Sequence, residues 1–164
     1  MSGMADRIYL DSGVILAFLK QEPVRADVVQ SALLRAQEGR LPSTFVTSVL
    51  SLVEVAYIEA ESLADLTSID LFWQSQPVQI VEVNAIAALR AREMIRMRAV
   101  NTAGPERPSA RKRAADVLHL ATAEWVGASE FWTYDLRDFL RYGIDTIRIC
   151  EPHVDQLTLP GLDS

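Results

Sequence analysis

The chain has 164 residues, a formal net charge of −6, 49% apolar residues and 23% charged residues. These values predict one folded domain with a real core and exclude a disordered chain. No apolar run is long enough to span a bilayer, and the amino-terminal residues lack the layout of a signal peptide. With Cys150 as the only cysteine, we expect a cytoplasmic protein without an internal disulfide. The lone cysteine and two histidines at unrelated spacing also predict no thiolate metal site.

Short apolar runs alternate along the chain with segments of helical periodicity, and Pro23 and Gly39 end two of the helical segments. In its first half the pattern predicts a strand over 7–11, helices over 12–20 and 24–37, a strand over 44–47, and helices over 48–61 and 64–74. A strand over 78–83 follows, then a helix over 85–100 capped by Asn84 and a loop over 101–109. The remaining elements are a helix over 111–125, a strand over 130–133, a helix over 136–141 and a strand over 146–149. Strands alternating with helices predict an α/β fold, a parallel sheet covered on both faces, with any site at the carboxyl ends of its strands.

Four acidic residues lie in apolar or tightly packed sequence, and they are Asp11, Glu54, Asp116 and Asp135. Two follow predicted strands, and the other two lie on predicted helices, the one around Glu54 apolar enough to be well buried. A carboxylate in apolar surroundings is costly unless it is paired, hydrogen-bonded or bound to a cation. A shared divalent cation would relieve the mutual repulsion of all four, which points to a metal centre.

Each acidic residue also has a purely structural interpretation. Asp11 and Asp135 could cap the helices that follow them, and Asp116 could lie in the first turn of its helix, where the dipole favours negative charge. Glu54 could form an ion pair with an arginine. His119 is expected to be a packed helix residue rather than a catalytic base. The residues alone leave these alternatives open.

Half of the basic residues, eight of 16, lie between Arg90 and Arg113. Such a band on an acidic protein could hold phosphates near a metal centre. The alternative is a solvated helix face followed by a polar loop.

Four motifs together resemble a known family: Leu-Asp-Ser at 10–12, the helical Glu54, Ala-Asp-Val-Leu-His-Leu-Ala-Thr-Ala at 115–123, and Trp-Thr-Tyr-Asp-Leu-Arg-Asp-Phe at 132–139. The pattern is similar to the PIN domain, and most of all to the VapC-type toxins of type II toxin–antitoxin pairs. The most specific part runs from Asp116 to Phe139. The resemblance covers residues 7–150, so we expect one domain over 1–150 and a tail over 151–164.

The resemblance implies a PIN-like three-layer α/β/α sandwich around a central parallel sheet. It also implies an endoribonuclease that needs Mg²⁺ or Mn²⁺ and hydrolyses RNA with a metal-activated water, leaving a 5′-phosphate and a 3′-hydroxyl. The catalytic and metal-binding set carried over is Asp11, Glu54, Asp116 and Asp135. Supporting roles fall to Thr133, Ser12 and Asp138, the last with an ordinary helix role as its alternative. Gly13 departs from the family pattern, which usually has a polar side chain there.

The same resemblance implies partners. The RNA backbone would contact the basic residues Arg96, Arg98, Arg111, Lys112 and Arg113. A cognate antitoxin would insert a segment into an apolar groove between the predicted helices 12–20 and 48–61, and a homodimer is expected. Two alternatives remain: an RNA-processing nuclease without an antitoxin, and an inactive RNA- or protein-interaction module, for which Gly13 would be the first sign.

Overall fold

The computed structural model describes residues 6–56, 63–101 and 110–154, without the side chains of 63–65, 99–101 and 110–113. The strands described are β1 (Arg7–Leu10), β2 (Thr44–Ser48), β3 (Val78–Val81), β4 (Glu130–Trp132) and β5 (Arg148–Cys150). The helices described are α1 (Ser12–Leu19), α2 (Arg25–Gln37), α3 (Val49–Glu54), α4 (Leu63–Ser75), α5 (Ala85–Asn101), α6 (Ala110–Trp125) and α7 (Leu136–Leu140).

The strands form one parallel sheet in the order β3-β2-β1-β4-β5. Strands β2 and β3 are added one after the other on one side of β1, and β4 and β5 are then added on its other side. That reversal makes the β1/β4 boundary the topological switch point, where the connections after neighbouring strands leave in different directions and open a crevice. Leu10 pairs with Trp132, and the Asp11 N–H donates to the Trp132 carbonyl at 3.1 Å, so both strands end level with each other.

Alternation along the strands divides the core into two layers. Ile8, Leu10 and Trp132 face one side, where they pack with apolar residues of α1, α2 and α4. Tyr9 and Phe131 face the other side, against residues of α5, α6 and α7. Helices therefore cover both faces of the sheet, and the predicted α/β/α sandwich with a parallel sheet is confirmed.

The predicted helix over 48–61 differs most from the structure. Its described part, α3, ends at Glu54, and residues 57–62 lie outside the described residues. Leu52 and Val53 are 37% and 77% exposed, so the expectation of a well-buried helix was wrong. The helix projects from the carboxyl edge of the sheet and buries Ser51 instead of its apolar side chains.

Other boundaries shift by one to a few residues. The last strand is Arg148–Cys150 rather than 146–149, and the third ends at Val81. Asn84 caps α5 as predicted, because its side-chain Oδ1 accepts the Ala87 N–H at 2.9 Å. Of the predicted loop, residues 102–109 lie outside the described residues. No helix in the described ranges is long and apolar enough to cross a membrane.

A strained turn precedes α2, which begins at Arg25 rather than at Val24. Val24 has φ 67° and ψ −49°, and the Arg25 N–H donates to the Pro23 carbonyl at 2.8 Å. This is a three-residue γ-turn of the positive-φ kind, which is costly for any side chain and most of all for a β-branched one. The Val24 side chain is 72% exposed and recovers little by packing.

Val24→Gly should therefore stabilise the protein by about 1 kcal/mol, because strain of about 1–3 kcal/mol is relieved against a smaller entropic cost of glycine. Urea unfolding of the two proteins measures the difference. Val24→Ala is the matched control: it keeps a Cβ and should gain much less. Equal stability of Val24→Gly and the parent would show that the turn is not strained.

Candidate active site

Two of the four acidic residues meet at the switch point through one hydroxyl group. Asp11 follows β1 and is 8% exposed, whereas Asp135 follows β4 by three residues and is exposed. Thr133 Oγ1 donates to Asp11 Oδ2 at 3.0 Å and accepts the Asp135 N–H at 3.0 Å. Within the described residues, neither aspartate makes a side-chain hydrogen bond to cap the helix after it, which removes the capping interpretation for both.

Glu54 pairs with a histidine rather than with an arginine. His119 Nε2 lies 2.6 Å from Glu54 Oε2, and the imidazole is fully buried. Its Nδ1 lies 2.7 Å from the Tyr9 hydroxyl and 3.3 Å from Ser48 Oγ. The Tyr9 oxygen also accepts the Ser48 N–H at 3.1 Å. An ionised carboxylate can only accept a hydrogen bond, so Nε2 of His119 carries a proton and donates it to Glu54.

The two carboxylates nearest the buried histidine have opposite pKa shifts. Burial raises the pKa of Asp11 above its ordinary value; the charge of His119 and the Thr133 hydrogen bond offset part of this, and the charge of Glu54 adds to it. Burial alone would also raise the pKa of Glu54, but hydrogen bonds from His119 and Ser12 and the charge of His119 outweigh it and lower that pKa. Burial raises the pKa of Tyr9 as well, which keeps its hydroxyl protonated as a donor.

The remaining predicted site residues flank this centre. Asp116 is half-buried on α6, one helical turn before His119, so both lie on the same face of that helix. Ser12, at the start of α1, donates to Glu54 and so connects α1 with α3. Asp138 lies 3.6 Å from Arg141 in an ion pair along α7. That pairing favours the ordinary helix role for Asp138.

The chemistry of these groups fits a hard divalent cation. Asp11 is a buried carboxylate whose pKa is raised by burial, and the Thr133 hydroxyl that donates to it carries no charge. Carboxylate oxygens are the ligands that Mg²⁺ and Mn²⁺ prefer, and a cation would remove the cost of ionising Asp11. The tight hydrogen bond of one Glu54 oxygen to His119 fixes the orientation of the carboxylate, as outer contacts do for metal ligands.

Comparison with known proteins decides the family. A model of the family described as the PIN domain matches residues 8–145. The chain belongs to the PIN domain family. No protein with a curated functional description matches it.

Several solved structures share the PIN fold with this chain. The VapBC2 complex of Rickettsia felis, bound to a promoter DNA fragment, matches with 16% identity, a TM-score of 0.62, and coverage of 88% of this chain and 98% of that one. The DNA-bound VapBC of Salmonella typhimurium matches with 19% identity, a TM-score of 0.63, and coverage of 89% of this chain and 98% of that one. The Mycobacterium tuberculosis toxin VapC20, which cleaves the sarcin–ricin loop, matches with 17% identity, a TM-score of 0.56, and coverage of 86% of this chain and 98% of that one. At these identities the likeness establishes the fold alone.

The sequence did not single out the hydrogen-bond partners that orient Glu54 and His119 in this site. His119 contacts three residues that are distant from it in sequence: Tyr9 at a separation of 110 residues, Ser48 at 71 and Glu54 at 65. His119 was expected to be a packed residue, and it is packed, but its two nitrogens also orient Glu54. The family motif around Asp116 contains this histidine, which was the available signal.

Asp11→Asn should stabilise the metal-free protein at neutral pH by about 1 kcal/mol, within the usual range for a single buried substitution. The folded-state pKa of Asp11 is raised, so its ionisation destabilises the fold above that pKa. The increase in the free energy of unfolding should therefore be full at neutral pH. It should disappear as the pH falls toward the pKa of aspartate in the unfolded chain, about 3.9. Asparagine still offers Thr133 an oxygen.

Urea unfolding in EDTA at pH 7.5 and 4.5 measures this difference. Asp70→Asn, an exposed change in the interior of α4, is the control and should shift stability little at either pH. A destabilised Asp11→Asn protein at pH 7.5 would mean that the carboxylate holds the fold together through ionic contacts.

Proposed function

We propose that this PIN domain is a metal-dependent endoribonuclease that serves as the toxin of a toxin–antitoxin pair. The observation that carries the proposal is the joining of Asp11 to the Asp135 backbone through Thr133, at a switch point that Glu54 and His119 also approach. Family membership adds support, since the chain carries all four acidic residues of the family pattern.

Asp11, Glu54, Asp116 and Asp135 would hold one or two Mg²⁺ or Mn²⁺ ions. When bound, the cation supplies charge that polarises a phosphodiester and lowers the pKa of an attacking water. The protein's own part is positioning. Thr133 orients Asp11, while His119 and Ser12 hold Glu54 ionised and in one direction. We infer a 5′-phosphate and a 3′-hydroxyl at the cut, because the ribose 2′-hydroxyl is not the nucleophile in this scheme.

The basic residues would position the RNA backbone without reading its sequence. Arg96 is exposed on α5, and the Arg98 guanidinium lies 5.0 Å from the centre of the Tyr142 ring. Arg90 is not part of this proposal, because it donates to Glu124 at 2.7 Å and holds α5 to α6. The side chains of Arg111, Lys112 and Arg113 lie outside the described residues.

An antitoxin partner is supported by the fold neighbours, several of which were solved as VapBC or toxin–antitoxin complexes. The exposed apolar side chains of α3 lie beside Glu54 and would suit an apolar segment of that partner; Val53 alone is 77% exposed. A homodimer would cover a second apolar group on α5, where Ile86, Leu89 and Met97 are 64%, 59% and 64% exposed.

The nuclease proposal is tested with purified protein and a circular single-stranded RNA. Mg²⁺ or Mn²⁺ should support cutting and EDTA should stop it, since the acidic residues act through the cation. Asp116→Asn should reduce the rate by a factor of at least about 100, equivalent to about 3 kcal/mol of transition-state stabilisation. A circular substrate is cut only by an endonuclease, and end-labelling of the products reads the position of the phosphate.

Asp70→Asn, an exposed acidic residue on α4, is the matched control and should cut like the parent. Products with a 2′,3′-cyclic phosphate would contradict the proposed chemistry. A folded protein that cuts no RNA with either metal, including ribosomal RNA, would favour the inactive interaction module. Expression in a bacterial host separates the toxin from a processing nuclease: the toxin arrests growth, and Asp116→Asn relieves the arrest.

Gly13 is the one departure from the family pattern at the site, and the structure has room for a side chain there. A Cβ added at Gly13 would lie 3.6 Å from Asp11 Oδ2, an ordinary contact, and the residue is exposed. Gly13→Asn should therefore fold normally and raise the cleavage rate several-fold, because its amide adds a donor beside Asp11. Gly13→Ala is the control: it should stabilise α1 by up to about 1 kcal/mol without raising the rate. Equal rates for both variants would show that the missing side chain is unimportant.

A further inference from the structure

A cluster of three metal-ligating side chains lies at the edge of the sheet, away from the four acidic residues. Glu130 opens β4, Cys150 ends β5, and His153 follows three residues later. One ligand atom from each residue lies within 4.8 Å of the other two. We call Glu130, Cys150 and His153 the edge cluster.

The edge cluster occupies the opposite face of the sheet from Tyr9 and His119. Trp132 belongs to the core layer of α1 and α2, and its indole Nε1 donates to Glu130 Oε2 at 2.7 Å. Cys150 pairs with Trp132 across the two strands and packs against the same layer. The His153 ring lies 5.4 Å from the Trp132 ring. The cluster is therefore built around Trp132, on the face of the sheet opposite Tyr9 and His119. Its link to the centre at the switch point is a backbone hydrogen bond, from the Thr133 N–H to the Cys150 carbonyl at 3.0 Å.

The spacing of the three groups resembles that of ligands around one metal ion. Glu130 Oε2 lies 2.9 Å from His153 Nε2 and 3.8 Å from Cys150 Sγ. With Zn–S near 2.3 Å and Zn–N or Zn–O near 2.0–2.1 Å, a tetrahedral zinc site separates N from O by about 3.3 Å and S from O by about 3.6 Å. Both observed distances to Glu130 lie within about half an ångström of these values. The third distance, between the ligand atoms of Cys150 and His153, is no more than 4.8 Å.

The surroundings are also those of a metal site. Glu130 Oε1 accepts from Arg148 at 3.1 Å, so both carboxylate oxygens are oriented by donors outside the three ligands. The side chains of Glu130 and His153 are 16% and 29% exposed, which leaves access for a metal and for water as a fourth ligand. Thiolate, imidazole and carboxylate together suit Zn²⁺ and exclude Mg²⁺, which takes oxygen ligands.

We propose that Glu130, Cys150 and His153 form a second metal site, for Zn²⁺ or a similar transition metal, that fastens residues 151–154 to the edge of the sheet. Binding releases the proton of the Cys150 thiol, and the neutral His153 ring carries its proton on Nδ1 instead of Nε2, so both groups exchange a hydrogen bond to Glu130 for a bond to the metal. The metal thereby replaces two hydrogen bonds with three coordination bonds. The site lies beyond the proposed nuclease centre and does not depend on its activity.

Cobalt titration of the metal-free full-length protein tests the proposal, in millimolar Mg²⁺ so that the acidic centre is occupied. Because Cys150 is the only cysteine, a near-ultraviolet thiolate-to-cobalt band reports this site alone. We expect the band to saturate at one Co²⁺ per chain, with visible absorption of a tetrahedral ion. Zn²⁺ should abolish it by displacement and should raise the midpoint of thermal unfolding.

The matched control is Glu151→Gln, an exposed change between the two ligands on the same segment. His153→Gln and Cys150→Ser should each weaken Zn²⁺ binding at least tenfold, whereas Glu151→Gln should leave it unchanged. If Cys150→Ser fails to fold, His153→Gln, which lies beyond the last strand, still decides the matter. A cobalt band that survives His153→Gln, a stoichiometry of one metal per two chains, or no band at saturating Co²⁺ would overturn the proposal.

Discussion

The burial of the Asp11 carboxylate at the topological switch point is the constraint on which the rest of the site depends. A parallel sheet with the order β3-β2-β1-β4-β5 forces the ends of β1 and β4 together, and Asp11 follows the first of them with 8% of its surface exposed. The Thr133 hydroxyl donates to one of its oxygens, but this hydrogen bond and the charge of His119 do not offset the cost of burial, and the pKa of Asp11 remains raised. A cation bound there would make the ionised form of Asp11 favourable, and this is the physical reason to expect a cation at the switch point.

The second feature that shapes the site is the chain of hydrogen bonds from Ser48 through Tyr9 and His119 to Glu54. The Ser48 N–H donates to the Tyr9 oxygen, the Tyr9 hydroxyl contacts Nδ1 of His119, and Nε2 of His119 donates to Glu54. The links begin on β2 and β1, pass through the buried face of α6 and end at the last residue of α3. Glu54 therefore takes its direction from the sheet, although its own helix is short and carries Leu52 and Val53 on an exposed surface.

The sequence predicted the fold well because parallel strands are buried on both faces, and short apolar runs such as Ile8–Leu10 show this directly. It also singled out Asp11 as a candidate site residue, because a carboxylate directly after such a run is unusual. It failed where the deciding contacts are distant along the chain. An apolar composition suggested that the helix of Glu54 was buried, but only the tertiary position of α3 shows which side chains face solvent. The partners of His119 likewise come from elements that are far apart in sequence. The edge cluster forms because β4 and β5 are neighbours in the sheet, which the sequence spacing of Glu130, Cys150 and His153 does not reveal.

Opposite pKa shifts give the two central carboxylates different tasks. Burial raises the pKa of Asp11, whereas hydrogen bonds from His119 and Ser12 outweigh burial and lower the pKa of Glu54. The lowered pKa favours the ionised form of Glu54 without any cation, whereas a cation bound at the site would offset the cost that burial adds to the ionised form of Asp11. Two acidic groups whose environments separate their pKa values are a recurring basis for divided roles in a catalytic site. Here the division follows from position: Asp11 lies at the switch point, and Glu54 lies at the end of a short helix, where His119 of α6 and Ser12 of α1 reach it.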